Sequence, residues 1–210
     1  MPTLALASCK GGVAKSTLAA NLAVRASQDG RAAILDYDPQ LSLVRWYELR
    51  GEPKNPAVLA GTDAGPPADV DKLARHVDWL FLDLPPALQE LIRDGVKAAD
   101  FVLIPCKTSP IDLEAISPVV ELCEQHRKPF AFVLTMYDPA WKLAKTAAPY
   151  LDAIAPGHVL AETFGYRQSY VGAMIGGRTG PEYKADAKQA KAAREEVDAL
   201  WRAVVKRVSA

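Results

Sequence analysis

The 210-residue sequence is 50% hydrophobic and carries 25 basic and 25 acidic side chains, so its formal net charge is zero. This balance excludes a partner attracted by overall charge, and binding to nucleic acid or to a membrane would require a local patch. The length fits one α/β domain over residues 1–210 and leaves little room for a second full domain.

Short apolar runs alternate with helical patterns along the chain. The runs predict strands over residues 3–8, 32–36, 79–83, 101–105 and 130–135, with one more short strand near 57–60. The patterns between them predict helices over about 15–29, 42–50, 68–77, 87–98, 113–127 and 140–154. Pro118 should kink or restart the fifth helix. The continuous apolar runs indicate a mostly parallel, twisted sheet with helices on both faces, an α/β fold.

The end of the chain predicts one long helix over about 181–208, packed on the domain, after an aromatic and glycine-rich stretch over 162–180. Apolar residues recur along this helix at helical spacing, among them Val197, Leu200 and Trp201. Such a stripe could lie on a membrane surface or pack on the edge of the sheet. Nearby Glu195 and Glu196 disfavour an anionic surface, so packing is the expectation and a membrane is not an expected partner.

The segment CKGGVAKST, residues 9–17, follows the first predicted strand and opens the first predicted helix. A glycine turn in this place directs backbone N–H groups and the positive end of the helix dipole at a bound polyphosphate. Gly11 and Gly12 permit close approach, Lys15 is placed to reach the phosphates, and Ser16 offers a hydroxyl to Mg²⁺. The usual GxxxxGK[ST] pattern is not met, because Cys9 and Ala14 stand where it has glycine.

KGGVAKST (10–17) resembles the deviant Walker A motif, KGGxxK[ST], of the ParA/MinD superfamily of ATPases. Four more segments continue the resemblance over nearly the whole chain. LDYDPQLSL (35–43) is similar to the switch I element, and FLDLPPAL (81–88) is similar to Walker B and switch II. LIPCKTSPIDLEAI (103–116) and FVLTMYDP (132–139) also match the family. The fold that the resemblance implies is a P-loop NTPase of the deviant Walker A type.

The resemblance implies a Mg²⁺-dependent ATPase in which the phosphate loop holds ATP. Lys15 would contact the phosphates of its own site, and Asp38 would orient or activate the attacking water. Ser16 would bind Mg²⁺ directly and Asp83 through a water molecule, with Asp36 as a further candidate for the same metal shell. The loop residues that would contact ATP are Lys10, Gly11, Gly12, Val13, Ala14, Lys15, Ser16 and Thr17. Tyr137, Asp138 or the loop over 162–170 would contact the adenine.

Lys10 corresponds to the signature lysine of the resembled family. There it crosses a face-to-face dimer and contacts the phosphates bound by the other subunit, which makes the ATP-bound homodimer the active species. The alternative is that Lys10 adds its charge to the phosphate site of its own subunit.

Basic residues cluster near the end of the chain. Lys184, Lys188 and Lys191 fall at i, i+4 and i+7, a spacing that suits contacts with DNA phosphates and equally suits a solvated helix face. Because proteins of the resembled type bind nucleoid DNA without sequence preference once ATP has dimerised them, we interpret these lysines as DNA contacts. Arg167 and Arg178 are further candidates.

Three cysteines, Cys9, Cys106 and Cys123, include no CxxC pair, which argues against a disulfide scaffold, a zinc ribbon and an iron–sulfur carrier. No charged region precedes the apolar N-terminal stretch, so we expect a cytoplasmic protein without a cleaved leader, associated with the nucleoid when ATP is bound.

The function that these features predict is an ATP-driven switch that positions plasmid, chromosome or other cargo. Hydrolysis would be slow and stimulated by a cargo-binding or centromere-binding partner. Two alternatives stay open. One is a MinD-like ATPase that cycles on a membrane, and the other is a P-loop phosphotransferase acting on a small molecule or protein.

Overall fold

The computed structural model describes residues 1–86, 89–109, 113 and 115–209. In this part of the chain, seven strands form one sheet in the order β3-β2-β4-β1-β5-β6-β7. The strands are β1 (Thr3–Leu6), β2 (Ala32–Asp36), β3 (Ala57–Ala60), β4 (Trp79–Asp83), β5 (Phe101–Cys106), β6 (Phe130–Tyr137) and β7 (Val159–Gly165). All neighbouring pairs are parallel. The predicted parallel sheet is confirmed, and so is the short strand near residues 57–60.

Helices cover both faces of this sheet. Their bounds are α1 (Lys15–Ala26), α2 (Ser42–Leu49), α3 (Gly65–Leu73), α4 (Gln89–Ala98), α5 (Ser117–Gln125), α6 (Ala144–Ile154), α7 (Gln168–Met174) and α8 (Ala187–Val208). Successive residues of a strand point to opposite faces. Thus Leu4 and Leu6 of β1 pack in one core with α1 and α8, whereas Ala5 packs in a second core with α4, α5 and α6. With both faces covered, the loops at the carboxyl ends of the strands form the open edge where ligands of such sheets bind.

The C-terminal helix α8 packs on the domain through its apolar stripe, as predicted. Trp201 is 1% exposed, its ring lies 4.6 Å from that of Trp79, and its indole N–H donates to Asp29 at 2.7 Å. Asp198 on the same helix accepts a 2.6 Å hydrogen bond from Arg25 of α1. No helix in the described ranges is long and apolar enough to cross a membrane.

Several element bounds differ from the predicted ones. Helix α8 begins at Ala187 rather than near residue 181, because the Asp186 carboxylate caps it by accepting from the amides of Lys188 and Gln189. Residues Gly180–Glu182 form a 3₁₀ turn instead. The predicted fifth helix restarts at Ser117 with Pro118 in its first turn. Predicted features at 87–88, 110–112 and 114 lie outside the described residues.

Strand β7 and helix α7 were not predicted, and both lie wholly or partly in the stretch read as aromatic and glycine-rich. Strand β7 lies at the edge of the sheet with β6 as its partner. Its residues are mostly half-buried or exposed, so they lack the continuous apolar run that marks the inner strands.

Candidate functional site

The loop between β1 and α1 is held in place at both of its ends. The Ser8 hydroxyl donates to the carbonyl of Lys10 at 2.8 Å. At the other end, the buried Thr135 hydroxyl of β6 donates to the carbonyl of Val13 at 3.0 Å. Gly12 adopts a left-handed φ of 70°, which lets the chain turn into α1. Among the described residues no side chain caps the first turn of α1, and the amides after Ala14 are oriented so that they could bind a ligand.

Lys15 is the buried cation of this site. Its side chain begins α1, it is 6% exposed, and its ammonium donates to the Ser8 hydroxyl at 3.2 Å. Burial lowers the pKa of Lys15, while the nearby charges of Asp83 and Asp38 raise it. A cation with so little water around it gains much from an anionic ligand, because the surroundings screen the attraction weakly.

Asp36 and Asp83 end the neighbouring strands β2 and β4 as direct register partners, and each is 1% exposed. Their hydrogen bonding differs. Asp36 accepts from the amides of Asp38, Leu43 and Val44 at 3.1, 2.9 and 3.3 Å, so it anchors the start of α2. Both oxygens of Asp83 lack a hydrogen-bond partner among the described residues. Burial raises the pKa of Asp83 to about 7; the nearby Ser16 hydroxyl and the Lys15 charge oppose this increase, and the charge of Asp36 adds to it.

The unpartnered Asp83 carboxylate fits a hydrated Mg²⁺ bound beside the phosphate loop. A buried acceptor without a partner is costly, and a metal-bound water would satisfy it. The described residues include no group of three His, Cys, Asp or Glu side chains arranged to hold a metal. Mg²⁺ would therefore take most of its ligands from phosphates and water, with Ser16 and Asp83 as protein contacts. Asp36 already accepts hydrogen bonds from three amides, which makes it a poorer candidate than Asp83 for a contact with the metal.

Asp38 lies in the exposed turn after β2. Its carboxylate accepts from the amide of Gln40 at 2.9 Å, and its carbonyl accepts from the amide of Leu41 at 2.8 Å. The side chain is half-buried and close enough for its charge to act on Lys15 and Asp83. The structure thus brings the predicted water-orienting carboxylate to the same edge of the sheet as the phosphate loop.

The two candidate adenine contacts lie at the carboxyl end of strand β6, where Tyr137 is the last residue of the strand and Asp138 follows it. The carbonyl of Tyr137 accepts from the amide of Tyr166 at 3.0 Å, and the carboxylate of Asp138 accepts from the amide of Ala140 at 2.9 Å. The rings of Trp141 and Tyr166 lie 6.1 Å apart in the adjoining loops, and both are exposed. These residues share the edge of the sheet with the phosphate loop, and a role in base binding stays a prediction.

Lys107 is a cation of the site that sequence reasoning missed. It follows β5, is half-buried, and its ammonium lies 3.7 Å from the position that a Cβ on Gly12 would occupy. Residues 105–116 match the stretch PxxxSxxDLxxh of the resembled family, in which the position of Lys107 can be any residue. Only the adjacency of β5 and β1 in the sheet reveals that it faces the loop.

The candidate DNA residues do not form the single helix face that was predicted. Lys184 precedes the start of α8, whereas Lys188 and Lys191 lie exposed on it. The Lys191 ammonium is 3.9 Å from Glu195. Arg178 is exposed and lies with Lys184 at one cleft, lined also by the C-terminal end of α2.

Arg167 forms an ion pair within the protein. Its Nε and Nη2 atoms lie 2.9 and 2.8 Å from the Glu196 carboxylate, which also accepts from the Tyr170 hydroxyl at 2.9 Å. Because this carboxylate neutralises its charge, Arg167 is the weakest of the DNA candidates.

Ala14 adopts a left-handed conformation, with φ 63° and ψ 26°. This conformation costs an L-residue roughly 1 kcal/mol, and glycine adopts it readily. Ala14→Gly is therefore expected to raise the free energy of unfolding by up to about 1 kcal/mol, measured by urea denaturation. The matched control is Ala190→Gly inside α8, which should lower that free energy by about 1 kcal/mol. A loss of stability in both variants would contradict the strain at Ala14.

Comparisons with known proteins identify related chains. A family model, the CobQ/CobB/MinD/ParA nucleotide binding domain, matches residues 4–174. Maintenance of carboxysome distribution protein A of Halothiobacillus neapolitanus is 30% identical over 83% of this chain and 84% of its own length. The chromosome-partitioning ATPase Soj of Thermus thermophilus is 28% identical over 71% and 75% of the two chains.

A solved structure extends the likeness to the fold. The septum site-determining protein MinD of Pyrococcus horikoshii, complexed with Mg-ADP, aligns with a TM-score of 0.74 at 18% identity. The alignment covers 97% of this chain and 95% of that one. Because the family model spans the sheet, the phosphate loop and both strand-end aspartates, this chain belongs to the CobQ/CobB/MinD/ParA nucleotide-binding domain family.

Proposed function

We propose that this protein is a Mg²⁺-dependent ATPase that works as a positioning switch. ATP closes two copies into a dimer that holds DNA without sequence preference, and hydrolysis releases it. The observation that carries the proposal is the presence of a second lysine, Lys10, in a phosphate loop whose buried cation is Lys15. One subunit needs a single loop lysine for its phosphates, so a second one suits a charge lent to a neighbouring subunit.

The described residues have separate roles in hydrolysis. The amides of the loop and of the first turn of α1 hold the phosphates, and Lys15 offsets their negative charge. Asp38 accepts a hydrogen bond from the attacking water and directs it toward the terminal phosphate. When bound, Mg²⁺ supplies further positive charge to the phosphate oxygens, with Ser16 and Asp83 as its protein contacts.

Positioning of cargo is supported by the names of the two relatives, which refer to carboxysome distribution and chromosome partitioning. We infer that a protein bound to the cargo stimulates hydrolysis and so releases the dimer from DNA near that cargo. The apolar stripe of α8 is buried on the domain, which leaves it unavailable to a membrane surface. This burial favours DNA over a membrane as the surface on which the switch cycles.

The test is retention of the protein on arbitrary duplex DNA. We expect retention with ATP and Mg²⁺, none with ADP, and a steep loss between about 50 and 200 mM salt, because phosphate contacts release counterions. Lys188→Ala/Lys191→Ala should lower the slope of log affinity against log salt by up to about four, since a dimer loses four cations. The matched control, Lys72→Ala/Arg75→Ala, removes two exposed cations near α3 and should leave the slope unchanged.

Further experiments distinguish the proposed function from the two alternatives. Lys10→Ala should abolish both ATP-dependent dimerisation and DNA retention, and a fall in ATP affinity of the monomer would instead show that Lys10 serves its own site. Sedimentation with anionic liposomes that requires ATP would favour a membrane-cycling ATPase. ATP turnover that needs an added acceptor and is unaffected by Lys10→Ala would favour a phosphotransferase.

A further inference from the structure

Tyr37 stands between Asp36 and Asp38 and is fixed by a contact outside its own loop. Its side chain is 7% exposed, and its hydroxyl donates to the Asp69 carboxylate of α3 at 2.7 Å. Gly61 packs against the face of the ring so closely that a Cβ there would lie 2.1 Å from a ring carbon. The ring is therefore held between a hydrogen bond at its tip and backbone at its side.

Asp69 is itself held rigidly. It is 5% exposed, and besides Tyr37 it accepts from the amide and the hydroxyl of Thr62 at 2.9 and 2.6 Å. Thr62 follows β3, so the carboxylate joins the loop after β3 to the middle of α3. A carboxylate that accepts hydrogen bonds from three donors has little freedom to move. The hydroxyl of Tyr37 is therefore bonded to a group that is itself fixed.

The backbone on either side of Tyr37 is fixed as well. Its amide donates to the carbonyl of Asp83 at 3.0 Å, and the carbonyl of Asp36 accepts from Gly61 at 2.9 Å. The next side chain, Asp38, is half-buried, and residues 39–42 are exposed. Tyr37 is thus the last buried side chain before the exposed turn that carries Asp38.

We propose that the hydrogen bond between Tyr37 and Asp69 is a positioning contact that fixes the direction of the Asp38 carboxylate toward the attacking water. This inference rests on the proposed function, because it assumes that Asp38 acts on that water. The hydroxyl of Tyr37 touches neither ligand nor reacting atoms and acts only through Asp38. A small displacement of a water-orienting group lowers the rate of reaction while leaving ground-state binding intact.

Tyr37→Phe tests the contact, because it removes the hydroxyl and keeps the ring. We expect kcat for ATP hydrolysis to fall about tenfold while KM stays within about twofold. The matched control is Tyr47→Phe, which removes the 2.9 Å hydrogen bond from the Tyr47 hydroxyl of α2 to the carbonyl of Pro53, which follows that helix. Both variants should lose a similar few degrees of Tm, and only Tyr37→Phe should lose kcat. An equal kcat in the two variants would overturn the inference.

Asp69 gives a second test with a conservative rescue. Asp69→Asn keeps an oxygen for Tyr37 and the Thr62 amide, and its NH₂ group can donate to the Thr62 hydroxyl. It should therefore retain most of kcat, whereas Asp69→Ala should lose as much kcat as Tyr37→Phe. The double variant Tyr37→Phe/Asp69→Ala should lose no more than either single one, because both remove one contact. Additive losses would overturn the inference.

Asp38→Ala separates this inference from the proposed function. Single-turnover hydrolysis should fall sharply in Asp38→Ala with ATP binding and dimerisation retained, and adding Tyr37→Phe should change the residual rate no further. Normal turnover in Asp38→Ala would overturn the role of Asp38 itself. A further tenfold fall on adding Tyr37→Phe would show that Tyr37 acts independently of Asp38, and this result would overturn the positioning role alone.

Discussion

Replacing Lys15 with alanine is expected to weaken ATP binding about 100-fold or more, measured by calorimetric titration in the presence of Mg²⁺. The Lys15 ammonium is buried beside the phosphate loop, where its hydrogen bond is to the Ser8 hydroxyl. A charge in so little water forms strong hydrogen bonds to a phosphate oxygen, and the half-buried Lys107 beside Gly12 would compensate for its loss only in part. Its loss would also leave the negative charges of Asp38 and Asp83 facing the phosphates.

The control for this result is Lys10→Ala, a change in the same loop. If Lys10 serves the partner's nucleotide, its loss should leave the affinity of the monomer for ATP near that of the parent. The two variants together then show which lysine binds the nucleotide of its own subunit and which binds that of the partner. Retained ATP affinity in Lys15→Ala would refute the assignment of the phosphate site.

The phosphate loop could be predicted from the sequence because its chemistry is local. Gly12, Lys15 and Ser16 are close in the chain, and a turn between a strand and a helix fixes how they face the ligand. The two strand-end aspartates, Asp36 and Asp83, could also be placed, since the carboxyl ends of parallel strands share one edge of the sheet. Their different hydrogen bonding could not, because it depends on how α2 begins.

Contacts between segments that are distant in the chain could not be predicted from the sequence pattern. The contact of Tyr37 with Asp69 depends on how α3 lies against the end of β2, and the position of Lys107 depends on the adjacency of β5 and β1. The pairing of Arg167 with Glu196 was missed for the same reason, since it requires the position of β7, an edge strand without a clear apolar run. A charge judged by residue type alone is therefore a weak guide to DNA binding.

The two buried aspartates at the strand ends, Asp36 and Asp83, are expected to differ in their effect on the stability of the ligand-free protein. Asp83 is buried without a hydrogen-bond partner in the described chain, and its pKa of about 7 lies well above the ordinary 3.8. Between these two pH values the folded protein keeps a proton that the unfolded chain has released, so this group lowers stability as pH rises through the window. One pKa unit corresponds to about 1.4 kcal/mol, so the cost at pH 8 amounts to several kcal/mol.

Asp83→Asn should therefore raise the free energy of unfolding of the ligand-free protein by at least about 1 kcal/mol at pH 8, and by less at pH 5. The matched control is its register partner, Asp36→Asn. Burial raises the pKa of Asp36 as well, but an amide cannot accept all three of its backbone hydrogen bonds, so this variant should be less stable than Asp83→Asn by at least about 1 kcal/mol at both pH values. Urea denaturation of the two variants at both pH values measures the contrast, and equal stability of the two would contradict it. The stabilisation that Mg²⁺ adds to the ADP-bound protein should be smaller in Asp83→Asn, since the neutral amide attracts a hydrated cation far less than the carboxylate does. If Asp83→Asn stabilises the ligand-free protein and destabilises the protein bound to Mg²⁺ and ADP, the unpartnered carboxylate contributes to ligand binding rather than to the stability of the fold.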